Sequence, residues 1–383
     1  MVVADDPGVP DELEGQGIGG RLVRAAVDAA AREDLTIVPR CPFARDWLKR
    51  HPDETARATI ARERQATPRF LCPFSTARRW PADADLGCSV MEIGLFAPVA
   101  TLNAGPAFLR ALGPAVEERG FESIWVPEHV VMFDDYDSPY PYSPDGRFPG
   151  GSDTGLLEPL TALTYLAAVT DRVRLGTAIC LIPQRNPVYT AKQVADLDVL
   201  SGGRIDFGIG IGWLREEYEV LNVPFERRGK RADEYLALMR SLWSDGTAAL
   251  SGEFYELPEC RLYPKPLQSP VPVHVGGESD AALRRAAANG QGWFSWNRLP
   301  GDDLTERLAP LDGELAARGR SRSDDDFELT ICPYFNPITP EMVEQYAAAG
   351  VDRLLAMCMA FGPDDLQSTL DDLASSLLEP SRG

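Results

Sequence analysis

The sequence predicts a closed parallel (β/α)8 barrel over residues 91–383, an α/β fold, preceded by a partial α/β fragment over residues 1–66. Three observations carry that reading. Short apolar runs alternate with helical patterns eight times after Met91, and eight βα units is the barrel count. The chain has 383 residues, enough for one barrel of roughly 250 residues and an extra piece. The charge is also divided. Residues 1–90 hold 13 basic and 14 acidic side chains, against 38 and 58 in the whole chain, so nearly all of the net charge of −20 falls in the second part. Two stretches with different surface chemistry point to separate units.

The N-terminal part begins with Val9-Pro10 and a glycine-rich stretch, Gly15, Gly17, Gly19 and Gly20. Leu22, Val23, Ala26, Val27 and Ala30 then recur at helical spacing, which predicts an amphipathic helix over residues 20–33. A glycine turn opening a helix presents backbone N–H groups to an anion, and is about as often a plain tight turn. Leu35–Val38 predicts a short buried strand, broken by Pro39 and Pro42, and Phe43–Lys49 restarts a helix. Residues 67–90 have three prolines and no apolar period. They read as a linker, with upstream sequence of no structural role as the equal alternative.

From Met91 the predicted strands are Glu92–Ala97, Ser123–Pro127, Val173–Ile179, Arg204–Ile209, Val271–Val275, Gly292–Ser295, Glu328–Cys332 and Asp352–Met357. The predicted helices between and after them are Gly105–Arg119, Pro159–Thr170, Pro187–Leu200, Arg231–Ser244, Asp280–Asn289, Leu304–Arg318, Thr339–Ala348 and Pro363–Leu378. An open doubly wound sheet would close with fewer strands and a topological switch.

In a barrel the chemistry sits at the carboxyl ends of the strands. Glu128 and His129 follow the second strand, and His129 is one of three histidines in the chain. A histidine there contacts a cofactor ring or moves a proton, unless it merely caps a loop. Glu128 is the second candidate for the chemistry, although adjacent residues of an extended chain face opposite ways. His274, inside the fifth strand, reads as structural. Gly210, Gly212 and Trp213, then Glu216 and Glu217, follow the fourth strand. Gly276, Gly277, Glu278 and Ser279 follow the fifth, where two glycines and a Ser N-cap make a phosphate nest or an ordinary βα turn. Neither glycine loop has dinucleotide or P-loop spacing. The Tyr136–Gly155 loop, with Tyr136, Tyr140, Tyr142 and Phe148, reads as a lid over an apolar substrate or as a surface insertion.

Composition excludes several classes. With 44% hydrophobic and 25% charged residues the chain is not disordered. A net charge of −20 disfavours nucleic acid and anionic membrane surfaces as partners. The sequence has neither an 18-residue apolar run nor an apolar stretch in its acidic first residues, so no membrane span and no signal peptide are expected. The seven cysteines are scattered singly without zinc spacing, so no metal site is expected. They read as reduced thiols of a cytoplasmic protein.

Two resemblances add to this reading. EGQGIGGRLVRAAVDAAARED with IVPRCPFARDWLKRHP resembles the carboxyl-terminal half of small GNAT-like N-acetyltransferase domains. It implies an acetyl-CoA pyrophosphate cradle at Gln16, Gly17, Gly19 and Gly20, a cysteine at Cys41 and a closing His51-Pro52. The strands that family places before the glycine turn are not legible here. A truncated remnant without activity is therefore expected, with a bifunctional protein having N-acetyltransferase activity as the alternative. In the second part, EIGLFAPVA, GFESIWVPEHVV, DRVRLGTAICLIPQRNPVYTAKQVADLDVLSGGRIDFGIGIGWLREEY and PVPVHVGGESDAALRRAA are similar to the bacterial luciferase-like family. The similarity spans nearly all of residues 91–375, and the closest branch is oxidoreductases using the deazaflavin coenzyme F420.

That resemblance implies hydride transfer with coenzyme F420, or, as the alternative, an FMN-dependent monooxygenase. A degenerate barrel that turns nothing over is the third reading. It implies that His129 faces the reactive ring. Ala178 and Ile179 would form a bulge behind the ring, often with a non-proline cis peptide. Gly210, Gly212 and Trp213 would line the cofactor, Gly276 and Gly277 would hold its phosphate, and Arg185-Asn186 would border the pocket. The basic run Arg227, Arg228, Lys230, Arg231 attracts the polyglutamyl tail of coenzyme F420 or is ordinary surface charge. The expected partners are a small-molecule substrate and a flavin or F420 reductase, with a homo-oligomer allowed.

Overall fold

The computed structural model describes residues 2–4, 18–32, 36–39, 47–55, 59–60, 91–100, 105–324, 326–360 and 362–378. Gln16, Gly17, Cys41 and the linker 67–90 lie outside the described residues. The chain divides into two compact units, Met1–Asp83 and Ala84–Gly383.

In the first unit, strands Val2–Ala4, Thr36–Pro39 and Thr59–Ile60 form a small parallel sheet in that order. The sequence predicts only the middle strand. Val2–Ala4 corrects the expectation that no strand precedes the glycines, and its three residues are too few to show a period. The helix runs Ile18–Arg32 and buries Val23, Val27 and Ala30 at the predicted spacing. It starts two residues earlier than predicted. Gly19 and Gly20 are therefore part of its first turn rather than of a turn before it. Trp47 and Leu48 are also buried, and the Trp47 ring stacks on His51 at 4.1 Å.

The second unit is the predicted barrel. Its strands are β1 Glu92–Phe96, β2 Ser123–Val126, β3 Arg174–Thr177, β4 Ile205–Gly210, β5 Val273–Gly276, β6 Gly292–Trp296, β7 Glu328–Cys332 and β8 Arg353–Met357. All neighbours pair in parallel in sequence order. The ring is complete, with β8 paired to β1 through Leu354 and Ile93, and β4 to β5 through Phe207 and Val273. The eight main helices are α1 Pro106–Arg119, α2 Pro159–Ala167, α3 Pro187–Ser201, α4 Arg228–Trp243, α5 Asp280–Asn289, α6 Asp302–Ala316, α7 Pro340–Ala348 and α8 Pro363–Leu377. Local chemistry starts and stops them. Asn186 caps α3 by accepting from Val188 and Tyr189 N–H, Pro187 opens the first turn, and Gly202 ends it in the left-handed conformation. Two pieces inside the fourth unit are absent from the sequence prediction: the short helix Arg215–Val220 and the hairpin Ala248–Ser251/Glu256–Cys260.

Strand β3 departs from prediction in a way that matters for the site. The expected Val173–Ile179 stops at Thr177. Ala178-Ile179 is a cis peptide, and the chain rejoins β4 only at Cys180–Leu181, where Cys180 pairs with Ile209.

The barrel interior has two layers. Phe96, Trp125, Ala178, Phe294, Cys332 and Leu355 form an apolar cluster. Against Trp125 sits a buried ionic group. The Arg353 guanidinium lies 5.3 Å from the indole and pairs with Glu122 at 2.9 Å and Glu328 at 2.9 Å. Arg174 Nε donates to Asp206 at 2.8 Å. His274 belongs here, with its ring edge-on to Trp125 at 5.3 Å and Nε2 at 3.6 Å from Asp206. It therefore faces the barrel interior, within the structural role read from the sequence. Gly176 makes room for this arrangement, since a Cβ there would stand 2.1 Å from the Trp125 ring.

Candidate active site

Strand β2 delivers Glu128 and His129 to the carboxyl end of the barrel, and the structure gives them different work. Glu128 is buried; its Oε2 accepts from Leu181 N–H and its Oε1 from Arg185 Nε at 2.8 Å. Arg185 also pairs with Glu158 at 2.6 Å. Both Glu128 oxygens are thus committed to holding the segment after the β3 break. These bonds give Glu128 a structural task beside the catalytic role expected for it.

His129 faces aromatic rings instead. Its imidazole stands 5.5 Å from Phe148 and 5.7 Å from Trp213, edge-on to both. Nδ1 lies 3.3 Å from Oε2 of Glu217, a carboxylate with no exposed surface. Glu217 also accepts from Val130 N–H at 2.6 Å and from Gln184 Nε2 at 3.1 Å. Burial raises its pKa, but the hydrogen bonds from His129, Gln184 and Val130 outweigh that and hold it below the usual carboxylate range. The sequence reading assigned Glu217 no role. The available signal is an acid on an apolar face, because Glu217 stands at helical spacing between Leu214 and Leu221.

The loop after β2 packs its aromatic side chains against those of other loops and strand ends. Tyr140 is buried and lies 5.1 Å from Trp213 and 5.3 Å from Phe148, and its hydroxyl donates to the Tyr334 hydroxyl at 3.2 Å. Burial, then the neighbouring Tyr334, pushes its phenol far above the ordinary value, so it stays protonated. Tyr142 approaches Trp296 at 6.3 Å and Tyr136 approaches Trp213 at 5.6 Å. These contacts decide against a surface insertion that touches nothing. Glu216 holds the start of the loop, accepting from Asp137 N–H at 2.7 Å and Ser138 N–H at 3.1 Å, while Ser138 Oγ accepts from Arg215 N–H.

Gly210 and Gly276 make room for a neighbouring side chain. A Cβ at either would stand 2.2 Å or 2.5 Å from Cδ1 of Ile179. The missing side chains admit Ile179 to the barrel mouth, which makes Ile179 the wall and the glycines its seat. Gly212 and Gly277 are left-handed, with φ of +68° and +117°. Gly277 leads into α5, where Ser279 Oγ caps Ala282 N–H at 3.2 Å. Glu278 is turned away toward β6, bonded to Ser295 Oγ at 2.8 Å and paired with Arg298 at 2.9 Å. Of the basic run, Arg227 pairs with exposed Glu253 and Arg231 is buried against the Pro183 and Pro224 carbonyls. Arg228 Nε donates to the Gly212 carbonyl at 3.1 Å, and Lys230 is exposed.

Three buried thiols, Cys180, Cys332 and Cys358, are pushed above the ordinary value by burial, Cys332 to about 12. They are unsuited to nucleophilic work. Among the described residues, no His, Cys, Asp and Glu side chains are grouped to hold a metal ion, and no helix is long and apolar enough to cross a membrane.

Residues 91–374, most of the chain, match the luciferase-like monooxygenase family. The chain belongs to that family. Members of the luciferase-like family are oxidoreductases and monooxygenases that depend on flavin or coenzyme F420, and this chain is an enzyme of that kind. An uncharacterized protein of Mycobacterium tuberculosis is 32% identical over 263 residues, which is 68% of this chain and 90% of that one. The F420-dependent glucose-6-phosphate dehydrogenase of Kineococcus radiotolerans is 31% identical over 230 residues, 59% of this chain and 63% of that protein. The crystal structure of a monooxygenase from Streptomyces bottropensis matches 76% of this chain and 99% of its own, with a TM-score of 0.57 and 21% identity. That likeness bears on the fold alone. Residues 1–58 match the GCN5-related N-acetyl-transferase family.

Proposed function

We propose that this luciferase-like enzyme transfers a hydride to or from a small organic substrate with coenzyme F420. The observation that carries the reading is the pairing at the mouth of a proton-handling group with an apolar wall: His129, backed by Glu217, and Ile179, seated on Gly210 and Gly276. A flat redox ring needs one apolar face, a polar edge, and anion donors some way off. The residues present fit. The α5 N-terminus at Gly277–Asp280 offers backbone N–H groups to a phosphate. Glu278, the acid that would repel one, is turned aside and neutralised by Arg298.

Ile179 would back the ring, His129 and Trp213 would border it, and Gly277 with Ser279 would take the phosphate. Bound coenzyme F420 supplies two-electron hydride chemistry. His129 holds or moves the accompanying proton, and the lid aromatics exclude water from it. Arg228 and Lys230, the two members of the basic run without a carboxylate or a buried carbonyl pair to hold them, would meet the acidic tail. A small-molecule substrate and an F420 reductase are the partners this reading requires. The second reading is FMN with a separate flavin reductase. It is favoured by the commitment of Arg227 and Arg231 elsewhere, which halves the charge available for a tail.

The test is titration of the purified chain with coenzyme F420 and with FMN, followed by fluorescence. Saturable binding of the deazaflavin with weaker binding of FMN supports the first reading. Oxygen consumption with reduced FMN and indifference to the deazaflavin would replace it with the second.

A further inference from the structure

We infer that Glu217 is the positioning residue that fixes the tautomer of His129, keeping its proton on Nδ1 and presenting Nε2 to the barrel mouth as a bare acceptor. The inference deepens the proposed function, since it rests on His129 being the proton-handling group. Glu217 meets its surroundings on two sides. Oε1 accepts from Val130 N–H at 2.6 Å, and Oε2 faces both His129 Nδ1 at 3.3 Å and Gln184 Nε2 at 3.1 Å. An ionised carboxylate has only lone pairs to offer. A hydrogen bond between Nδ1 and it therefore requires the hydrogen on Nδ1. In the neutral ring the other nitrogen is then unprotonated.

Phe148 and Trp213 stand edge-on beside the ring, and Glu217 has no exposed surface. Glu217 ties together three segments: the loop after β2, the turn Ile182–Gln184 after β3, and the short helix after β4 that carries it. His129 thereby takes up a proton at Nε2 before it gives one, and the residue that decides this stands 88 positions away in sequence.

Glu217→Gln tests the idea with a defined expectation. Val130 N–H holds the amide oxygen on its own side, which turns the new NH2 group toward His129 Nδ1 and toward Gln184, whose amide turns over to present its otherwise unpartnered Oε1. Nδ1 then becomes the acceptor and the proton moves to Nε2. The readout is 15N NMR of the imidazole nitrogens in the free, full-length protein. Only three histidines contribute, and His129→Gln identifies the signals of interest by their loss. The expected result is a protonated Nδ1 in the wild type, a protonated Nε2 in Glu217→Gln, and retention of the wild-type pattern in Glu217→Asp, which keeps the carboxylate. The inference is overturned if the wild type carries its proton on Nε2, a result that needs no variant to fold. It is equally overturned if Glu217→Gln leaves the pattern unchanged. No cofactor is needed, so failure of coenzyme F420 and FMN to bind would sink the proposed function and leave this result standing.

Discussion

Adding one methyl group at Gly276 tests whether the glycines of the barrel mouth exist for Ile179. A Cβ there would stand 2.5 Å from Ile179 Cδ1 and 3.1 Å from Cγ2, while the backbone at Gly276 is not left-handed and accepts alanine. Gly276→Ala is therefore an overpacking change, costing about 1–3 kcal/mol. Ile179→Val removes Cδ1 and costs about 0.5–1.5 kcal/mol on its own. If the two sites were independent the double variant would lose about 1.5–4.5 kcal/mol, the sum of those ranges. The structure demands otherwise. Once Cδ1 is gone the nearest remaining atom is Cγ2 at 3.1 Å, a contact that a small shift relieves. The double variant should thus be no less stable than Gly276→Ala alone, a coupling of at least the Ile179→Val cost, about 0.5–1.5 kcal/mol. Scanning calorimetry of the four proteins measures this, with about 2 °C per kcal/mol expected for a unit of this size. Simple additivity of the two melting shifts would refute the reasoning and return Gly276 to direct cofactor contact.

Three further outcomes follow from the same geometry. His129→Ala should slow oxidation of reduced coenzyme F420 by a panel of carbonyl and quinone acceptors by about 10²-fold or more, while the cofactor dissociation constant barely moves; unchanged rates would remove His129 from the chemistry. In Asp206, burial raises the pKa but Arg174 and Arg353 pull it well below the usual range. Its stabilising effect is then full above the unfolded value of about 3.9 and is lost as pH falls through the folded one. Asp206→Asn should cost about 3–5 kcal/mol in urea denaturation at pH 7, with a gap to the wild type that narrows at pH 3; a gap independent of pH would contradict the ionic reading. Replacing both Arg228 and Lys230 by alanine should weaken coenzyme F420 about tenfold at low salt and FMN far less; equal weakening would dismiss the tail.

Much of the barrel is legible because each βα unit carries its own periodicity. Helix α3 is announced by Asn186, Pro187 and Gly202, and its predicted end falls one residue short. The break in β3 is not announced. Val173–Ile179 reads as one short strand, with no proline or polar cluster to mark where pairing stops. His129 is legible as a lone histidine at a strand end. Its partner is not, because Glu217 and His129 meet only through closure of units two and four. Gly210 and Gly276 show the limit most clearly. A sequence displays the absence of a side chain, whereas the occupant of the vacated space, Ile179, is a fact of three dimensions.

Trp125 has a consequence for how the enzyme is insulated. Its indole belongs to the apolar cluster, with Phe294 packed at 5.4 Å, and also meets Arg353 and His274, each at 5.3 Å; its own N–H is satisfied by Ser123 Oγ at 2.9 Å. It acts as a dielectric partition. Below it, five charged side chains, Glu122, Arg174, Asp206, Glu328 and Arg353, form one linked ionic group, with Glu328 at its exposed edge. Above it, the mouth answers to its own carboxylates. Protonation of the lower compartment should consequently register as loss of the fold, whereas the chemistry at the mouth rests on Glu217 remaining ionised. The acid limit of stability and the pH optimum of turnover are therefore separable properties of one barrel.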